Sequence, residues 1–131
     1  MRILIAEDDT VARTMLAALL AKHGTCEAVA DGVTAAAALE VALRAGRPYD
    51  LVCLDINMPG NTGLEVLAVL RALEKGADLP LGLGAKVVMT TSLGDAPHVM
   101  EAFRSNCDGY LVKPVAADKL RGLLTKLGLA A

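Results

Sequence analysis

The sequence predicts an α/β fold in which five β-strands alternate with five α-helices around a parallel sheet. Two observations predict it. Short apolar runs alternate with longer amphipathic stretches, five times each, and this alternation is typical of successive βαβ units. The 131 residues suffice for one core but not for a separate output domain. We therefore expect residues 1–131 to form a single, doubly wound (βα)5 domain.

The strand candidates are the short apolar runs. In chain order they are Ile3–Ala6, Cys26–Ala30, Leu51–Leu54, Val87–Thr90 and Tyr110–Val112. The third is apolar throughout, which is typical of a strand buried on both faces of a sheet. Glu27 interrupts the second run, so we expect that strand at an edge of the sheet.

Apolar residues at helical spacing and terminal glycines predict the helices. The predicted helices run from Thr10 to Gly24, Val33 to Ala45, Gly63 to Lys75, Ala96 to Ser105, and from Pro114 to about Leu127. In the first helix the apolar face consists of Val11, Met15, Ala18 and Leu19, and in the last it consists of Leu120, Leu123, Leu124 and Leu127. We interpret both faces as packing on the core. The Gly- and Leu-rich segment 76–85 is interpreted as a loop insertion.

Composition excludes several classes of function. The net charge of -2 comes without a basic stripe, and the chain has two Tyr, one Phe and no Trp, so direct binding of nucleic acid is not supported. No apolar run is long enough to span a membrane, and no signal segment precedes the first strand. Three scattered cysteines lack the paired spacing of a zinc site. We expect a reduced, cytoplasmic setting.

Acidic residues follow two of the predicted strands. Glu7-Asp8-Asp9 comes after the first strand, and Asp55 ends the third. The carboxyl ends of parallel strands meet at one edge of the sheet, so these carboxylates are expected to lie close together. Clustered carboxylates repel each other unless they share a proton or bind a hard divalent cation. We predict the cation.

A hydroxyl and an ammonium are expected at the same edge. Thr91 lies just past the fourth strand, and Lys113 ends the fifth. Taken singly, Lys113 is typical of a solvated lysine, Thr91 of a strand-end hydroxyl, and the acids of a helix-capping turn. Their joint position at strand ends favours one common pocket.

Four segments of the chain carry motifs of a known family. They are Ile3 to Asp9, Leu54 to Gly60, Met89 to Ser92, and Gly109 to Pro114. With these motifs in this order, the chain resembles the receiver domain of two-component response regulators from Arg2 to about Leu127. The resemblance implies a flavodoxin-like fold with strand order 2-1-3-4-5. It also implies a phosphoacceptor signalling protein, not a conventional enzyme, that promotes its own phosphorylation and slow autodephosphorylation.

The resemblance assigns roles in phosphoryl transfer. Asp55 would accept the phosphoryl group from a phosphohistidine on a sensor histidine kinase or a histidine phosphotransfer protein. Lys113 would neutralise charge on the phosphoryl oxygens, and Thr91 would donate a hydrogen bond to one of them. A carboxylate is ionised at neutral pH, so Asp55 needs no general base.

The resemblance also implies a Mg²⁺ site. Asp8 and Asp55 would be direct ligands, Glu7 would act through water, and the main-chain carbonyl of Asn57 would complete the set. Few protein oxygens and several retained waters suit Mg²⁺. Asp9 would more readily start the first helix by its charge. Glu7 departs from the commonest pattern, which has Asp there, but keeps the charge.

A switch and an output surface are implied as well. Tyr110 would move inward when the Thr91 hydroxyl shifts, although a partly buried strand aromatic without this role fits the sequence equally. A downstream protein would bind the output face, formed by the predicted helix at 96–105, the fifth strand and the fifth helix. Chemotaxis output and a phosphorelay intermediate both remain open, as do a stand-alone protein and a part of a longer one. The Lys113–Pro114 bond can be cis or trans.

Three other classes of protein fit the sequence less well. An aspartate-nucleophile phosphohydrolase usually has a second acid two residues after the nucleophile, where this chain has Asn57. A flavin-binding protein would need a phosphate loop after its first strand, where this chain has three acids. An interaction module without phosphate chemistry would not need all of these groups.

Overall fold

A parallel β-sheet lies at the centre of the protein. The computed structural model describes residues 1–78, 84–92 and 107–129. Within them the strands are β1 (Arg2–Ala6), β2 (Thr25–Val29), β3 (Leu51–Asp55), β4 (Lys86–Thr91) and β5 (Gly109–Val112). Their order is β2-β1-β3-β4-β5, and every neighbouring pair is parallel. The predicted fold class and strand order are confirmed, and each predicted strand agrees with the observed one to within one residue at either end.

Helices cover both faces of this sheet. They are α1 (Thr10–Leu20), α2 (Gly32–Arg44), α3 (Gly63–Gly76) and α4 (Ala117–Lys126). Helix α4 corresponds to the fifth predicted helix and begins three residues after Pro114. The predicted helix at 96–105 lies outside the described residues. None of the helices in the described part of the chain has the length and apolar character needed to cross a membrane.

Alternating side chains of the sheet supply two separate cores. In β1, Leu4 contributes to the core under α2 and α3, while Ile3 and Ile5 contribute to the core under α1 and α4. Strand β3 is buried at every position, as the apolar run Leu51–Leu54 predicts. Strand β2 is an edge strand with Glu27 exposed, as predicted.

Side-chain caps fix the starts of α1, α2 and α3. The Asp9 carboxylate accepts a hydrogen bond from the main-chain N–H of Val11 at 3.2 Å, and the Asp31 carboxylate accepts one from Thr34 at 2.7 Å. These caps satisfy main-chain donors that have no partner within the helix. Because α1 begins at the end of the acidic segment, the cap also sets the path of the loop between β1 and α1.

The prediction for α1 was wrong in two respects. The helix ends at Leu20 rather than running to Gly24, and its buried residues are Leu16 and Leu20. Val11 and Met15, assigned to the core-facing side, are 65% and 52% exposed, Ala18 is exposed and Leu19 is half-buried. Apolar residues occur on more than one side of α1, so periodicity did not specify a single face.

Gly24 has a different function from the predicted helix stop. A Cβ atom at this position would overlap the main-chain carbonyl of Met1, which accepts a hydrogen bond from the N–H of Thr25 at 2.9 Å. Gly24 therefore allows the chain entering β2 to approach the start of β1 closely.

A buried polar cluster holds the end of the sheet opposite the acidic residues. The Glu74 carboxylate accepts hydrogen bonds from Arg71 and from the main-chain N–H of Ala85, both at 2.7 Å. Arg71 also contacts Asp108 at 3.1 Å, and Asp108 accepts the N–H of Val87 at 2.8 Å. These bonds attach α3 to the starts of β4 and β5, and they anchor the return end of the 76–85 segment.

Replacement of Glu74 should measurably destabilise the protein. Glu74→Ala leaves the Ala85 N–H and the Arg71 guanidinium without their buried acceptor, and we expect a loss of about 2–3 kcal/mol. Urea denaturation provides the measurement. Glu40→Ala is the matched control, because Glu40 pairs with Arg44 on an exposed part of α2 and should cost less than about 0.5 kcal/mol. Equal losses for the two variants would contradict a buried anchoring role.

Candidate functional site

The acidic residues and Lys113 meet at the carboxyl edge of the sheet. Glu7 directly follows β1, Asp55 is the last residue of β3, and Lys113 directly follows β5. Strands β1 and β3 are neighbours, which brings Glu7 and Asp55 together. Strand β5 is separated from β3 by β4, so Lys113 reaches Asp55 through the length of its own side chain. The long lysine side chain is therefore required by the strand order.

Lys113 lies between two buried carboxylates. Its Nζ atom donates to Oε1 of Glu7 at 2.6 Å and to Oδ2 of Asp55 at 3.0 Å. The two carboxylate side chains are 3% and 5% exposed, and that of Lys113 is 26% exposed. The second Asp55 oxygen, Oδ1, accepts the main-chain N–H of Asn57 at 3.1 Å. Hydrogen-bond donors thus orient both carboxylate oxygens of Asp55. The peptide bond between Lys113 and Pro114 is cis.

The site has a set of oxygen donors that fits a divalent cation. One carboxylate oxygen from each of Glu7, Asp8 and Asp55 lies within 4.8 Å of the others. Oε2 of Glu7 is buried and has no hydrogen-bond partner among the described residues. A buried carboxylate oxygen without a donor is costly, and clustered carboxylates are typical ligands of hard cations. The donor set therefore fits Mg²⁺.

Burial changes the acid–base properties of this cluster. Desolvation raises the pKa of Glu7 to about 7, and the adjacent Asp55 carboxylate acts in the same direction, while Lys113 opposes both. Burial alone would lower the pKa of Lys113, but its hydrogen bonds to Glu7 and Asp55 outweigh burial and raise it above the ordinary value. Lys113 therefore remains charged at neutral pH.

Thr91 and Tyr110 occupy different environments. Thr91 is the last residue of β4 and is buried, and its hydroxyl donates to the main-chain oxygen of Ser92 at 3.0 Å. Among the described residues, no hydrogen bond joins this hydroxyl to Asp55 or Lys113. The link to the site is through the main chain, where the Lys113 N–H donates to the Thr91 carbonyl at 2.7 Å. Tyr110 lies on β5 and is 46% exposed.

Two residues near the site were missed from the sequence. Thr90 pairs with Asp55 across β3 and β4, and its carbonyl accepts the Ile56 N–H at 3.1 Å. Arg13 donates to the main-chain carbonyl of Glu7 at 2.8 Å. A main-chain acceptor has no signature in the sequence. The sequence signal that could have identified Arg13 was a cation near the start of a helix that follows three acidic residues.

A cavity of about 290 Å³ opens beside the cluster. Its polar residues are Glu7, Asp9, Thr90 and Lys113, and its apolar residues are Val11, Ala12, Met15, Leu16, Leu19, Pro114 and Val115. The exposed side chains of Val11 and Met15 therefore belong to the wall of a cavity next to the carboxylates. This placement gives a physical context to the apolar face of α1 that does not pack on the sheet.

Comparison with known families decides the identity of this fold. The chain matches the family model described as the response regulator receiver domain over residues 3–125. It belongs to this family. Receiver domains are phosphoacceptor signalling domains of two-component systems, in which they interact with histidine kinases and downstream targets.

Curated relatives of this receiver domain include both short and long proteins. It is 34% identical over 128 residues to the chemotaxis protein CheY of Pseudomonas aeruginosa, covering 97% of this chain and 95% of that protein. It is 33% identical to the chemotaxis protein CheY-3 of Vibrio cholerae, over 97% and 91% of the two chains. The transcriptional regulatory protein TcrA of Mycobacterium tuberculosis is 35% identical, but the match spans 45% of its length.

Solved receiver domains have a similar structure. The receiver domain of the sensor histidine kinase PA1611 of Pseudomonas aeruginosa, solved with a magnesium ion in its active-site cleft, is 26% identical. Its TM-score is 0.75, and the match covers 97% of each chain. The receiver domain of NtrX from Brucella abortus is also 26% identical, with a TM-score of 0.75 over 95% of this chain and 96% of that one.

The raised pKa of Glu7 predicts a pH-dependent stability of the metal-free receiver domain. Below pH 4.5 Glu7 is protonated in both the folded and the unfolded state. Between pH 4.5 and about 7 only the unfolded state releases the proton, so the contribution of Glu7 to the free energy of unfolding should fall as pH rises. Urea denaturation in EDTA across this range measures the change.

Glu7→Gln supplies the comparison, because glutamine does not titrate. The difference in unfolding free energy between the wild type and this variant should vary with pH across the same window and level off above it. A constant difference from pH 4.5 to pH 7 would show that the Glu7 carboxyl keeps its ordinary pKa.

Proposed function

We propose that this receiver domain accepts a phosphoryl group on Asp55 from a phosphohistidine of a sensor histidine kinase or a histidine phosphotransfer protein. The observation that carries the proposal is the contact of Asp55 Oδ2 with the Lys113 ammonium at 3.0 Å, beside a cluster of three carboxylates. This arrangement combines an anionic nucleophile with a fixed cation next to it. Both parts are needed for transfer of an anionic group.

The chain's own residues account for the transfer step. An oxygen of the ionised Asp55 carboxylate attacks phosphorus as the bond from phosphorus to the histidine nitrogen breaks, and that nitrogen keeps the bonding electrons and takes up a proton. The Asn57 N–H holds the orientation of the carboxylate. Lys113 is charged and can move from the carboxylate to a phosphoryl oxygen, where it offsets the charge of the arriving group.

Mg²⁺ is the cofactor that we propose for the carboxylate cluster. Asp8 and Asp55 would bind it directly, the main-chain carbonyl of Asn57 would add a ligand, and Glu7 would act through water. When bound, the ion supplies positive charge for the phosphoryl oxygens. The unpartnered Oε2 of Glu7 supports this assignment, because a metal-bound water can donate the hydrogen bond that the described residues do not provide.

Phosphorylation would act as a switch. We propose that the Thr91 hydroxyl exchanges the Ser92 carbonyl for a phosphoryl oxygen and that Tyr110 changes position in response. Tyr110 and Val112 are 46% and 39% exposed on β5, so a change there would alter a surface that a partner can contact. A downstream protein would then distinguish the two states of the output face.

The route of the signal is proposed from the relatives. Two of them are chemotaxis proteins, at 34% and 33% identity, which supports output by direct contact with a target, as in chemotaxis. Transfer onward in a phosphorelay is the second candidate. We place the protein in the cytoplasm, where its three free cysteines would stay reduced.

Slow autodephosphorylation, not rapid hydrolysis, is expected of this site. A phosphohydrolase needs an acid–base group beside the nucleophile, and Asn57 stands two residues after Asp55 with a side chain that cannot titrate. Rapid, repeated release of phosphate from a small phosphodonor, in place of the slow release that autodephosphorylation gives, would favour the hydrolase over the receiver.

Phosphorylation of Asp55 can be tested by intact-mass spectrometry. With acetyl phosphate and Mg²⁺ the wild type should gain the mass of one phosphoryl group, and EDTA should prevent the gain. Asp55→Asn should show no gain, because the amide lacks the anionic nucleophile. Asp118→Asn, an exposed change on α4, should behave as wild type. A wild type that gains no mass, or an Asp55→Asn variant that gains as much, would refute the proposal.

Removal of Lys113 should separate phosphoryl transfer from metal binding. Lys113→Ala should slow phosphorylation by about 100-fold, as expected when a group that stabilises transition-state charge is lost. Its affinity for Mg²⁺ should not fall, because the cation competes with the metal for the same carboxylates. Phosphorylation time courses and calorimetric Mg²⁺ titrations measure the two effects, with Lys119→Ala as the exposed control. A rate near that of the wild type would exclude the proposed role.

A further inference from the structure

The guanidinium of Arg13 is bonded to the main chain of the acidic loop, not to a carboxylate. Its Nη1 atom donates to the carbonyl oxygen of Glu7 at 2.8 Å and to that of Asp8 at 3.4 Å. Nη2 donates to the Thr10 hydroxyl at 3.4 Å. Within the described part of the chain Arg13 forms no ion pair, although carboxylates are the usual partners of a guanidinium.

The position of Arg13 is unfavourable for helix stability. Helix α1 begins at Thr10, so Arg13 lies in its first turn, where the positive end of the helix dipole disfavours a cation. Helix stability therefore does not account for a cation at this position. The contacts of the Arg13 side chain with the preceding loop account for the arginine at this position.

The loop is held from both sides at Glu7. The Glu7 N–H donates to the carbonyl of Val29 on β2 at 3.0 Å, and the Glu7 carbonyl accepts from Arg13. The main-chain N–H of Arg13 also donates to the Asp9 carbonyl at 2.8 Å. Both peptide groups of Glu7 are thus fixed, which limits the directions that its side chain and that of Asp8 can take.

We propose that Arg13 is a positioning residue for the divalent-cation site. Its Nη1 atom holds the main chain of Glu7 and Asp8, and its Nη2 atom contacts Thr10 at the start of α1, so that the two carboxylates stay close to Asp55 in the absence of metal. Without it, repulsion among the three carboxylates would favour loop conformations in which the exposed Asp8 turns towards solvent. This inference rests on the proposed function, because it assigns a group that supports the proposed Mg²⁺ site.

Two effects of Arg13 on Mg²⁺ binding have opposite signs. Its positive charge repels the metal, so loss of the charge alone would strengthen binding. Its hydrogen bonds preorganise the ligands, so loss of the bonds would weaken binding. Groups that orient metal ligands typically change affinity by about 10- to 100-fold when they are removed. The proposal requires the second effect to be the larger.

Calorimetric titration of the metal-free protein with Mg²⁺ tests the proposal. Arg13→Ala should weaken binding by about tenfold or more. Arg13→Lys keeps the charge and one donor group but lacks the second nitrogen, which contacts Thr10, so its affinity should fall between those of the wild type and Arg13→Ala. Arg44→Ala is the control, because it removes the same charge from an exposed pair on α2 and should change the affinity less than about twofold.

Amide NMR signals in EDTA provide a readout that does not depend on the metal. The signals of Asp8 and Asp9 should shift or broaden in Arg13→Ala while those of the sheet remain, and urea denaturation will show that the variant is folded. Unchanged or tighter Mg²⁺ binding in Arg13→Ala would overturn the positioning role. If the wild type binds no Mg²⁺, both the proposed Mg²⁺ site and this inference fail. If the wild type binds Mg²⁺ and is phosphorylated, and Arg13→Ala binds Mg²⁺ equally well, only this inference fails.

Discussion

The ammonium of Lys113 lies between two carboxylates that are both almost fully buried. Glu7 and Asp55 come from neighbouring strands, and without a cation their mutual repulsion would favour a different path for the loops that carry them. Lys113 compensates one negative charge of the cluster, while Glu7, Asp8 and Asp55 can together carry three. The remaining charge and the unpartnered Glu7 oxygen make the pocket suited to a divalent cation.

The arrangement of the sheet makes this contact possible. Residues far apart in sequence end their strands at one edge, and the separation of β5 from β3 by β4 matches the reach of a lysine side chain. At the opposite end, Glu74 and Arg71 attach α3 to the starts of β4 and β5. The two ends of the sheet thus differ. The Glu74 carboxylate has hydrogen-bond donors within the protein, whereas one oxygen of the Glu7 carboxylate is left for a ligand.

Two cations act on the acidic residues in different ways. Lys113 bonds to carboxylate oxygens, and the proposed phosphoryl transfer depends on this contact. Arg13 bonds to main-chain oxygens, so it can stay in place while the carboxylates exchange partners. The cavity beside them is bordered by Val11 and Met15.

The sequence by itself determined the alternation of strands and helices, because a parallel sheet buried on both faces requires short apolar strands. It also determined that Glu7, Asp8, Asp55 and Lys113 lie near strand ends, because the carboxyl ends of parallel strands meet at one edge of the sheet. It did not determine which side of α1 is buried, since apolar residues occur on more than one side and only the sheet selects Leu16 and Leu20. The tertiary structure also decided the contacts of Arg13 and Gly24. Their partners are main-chain carbonyls, which every residue has, so only the path of the folded chain brings the right ones within reach.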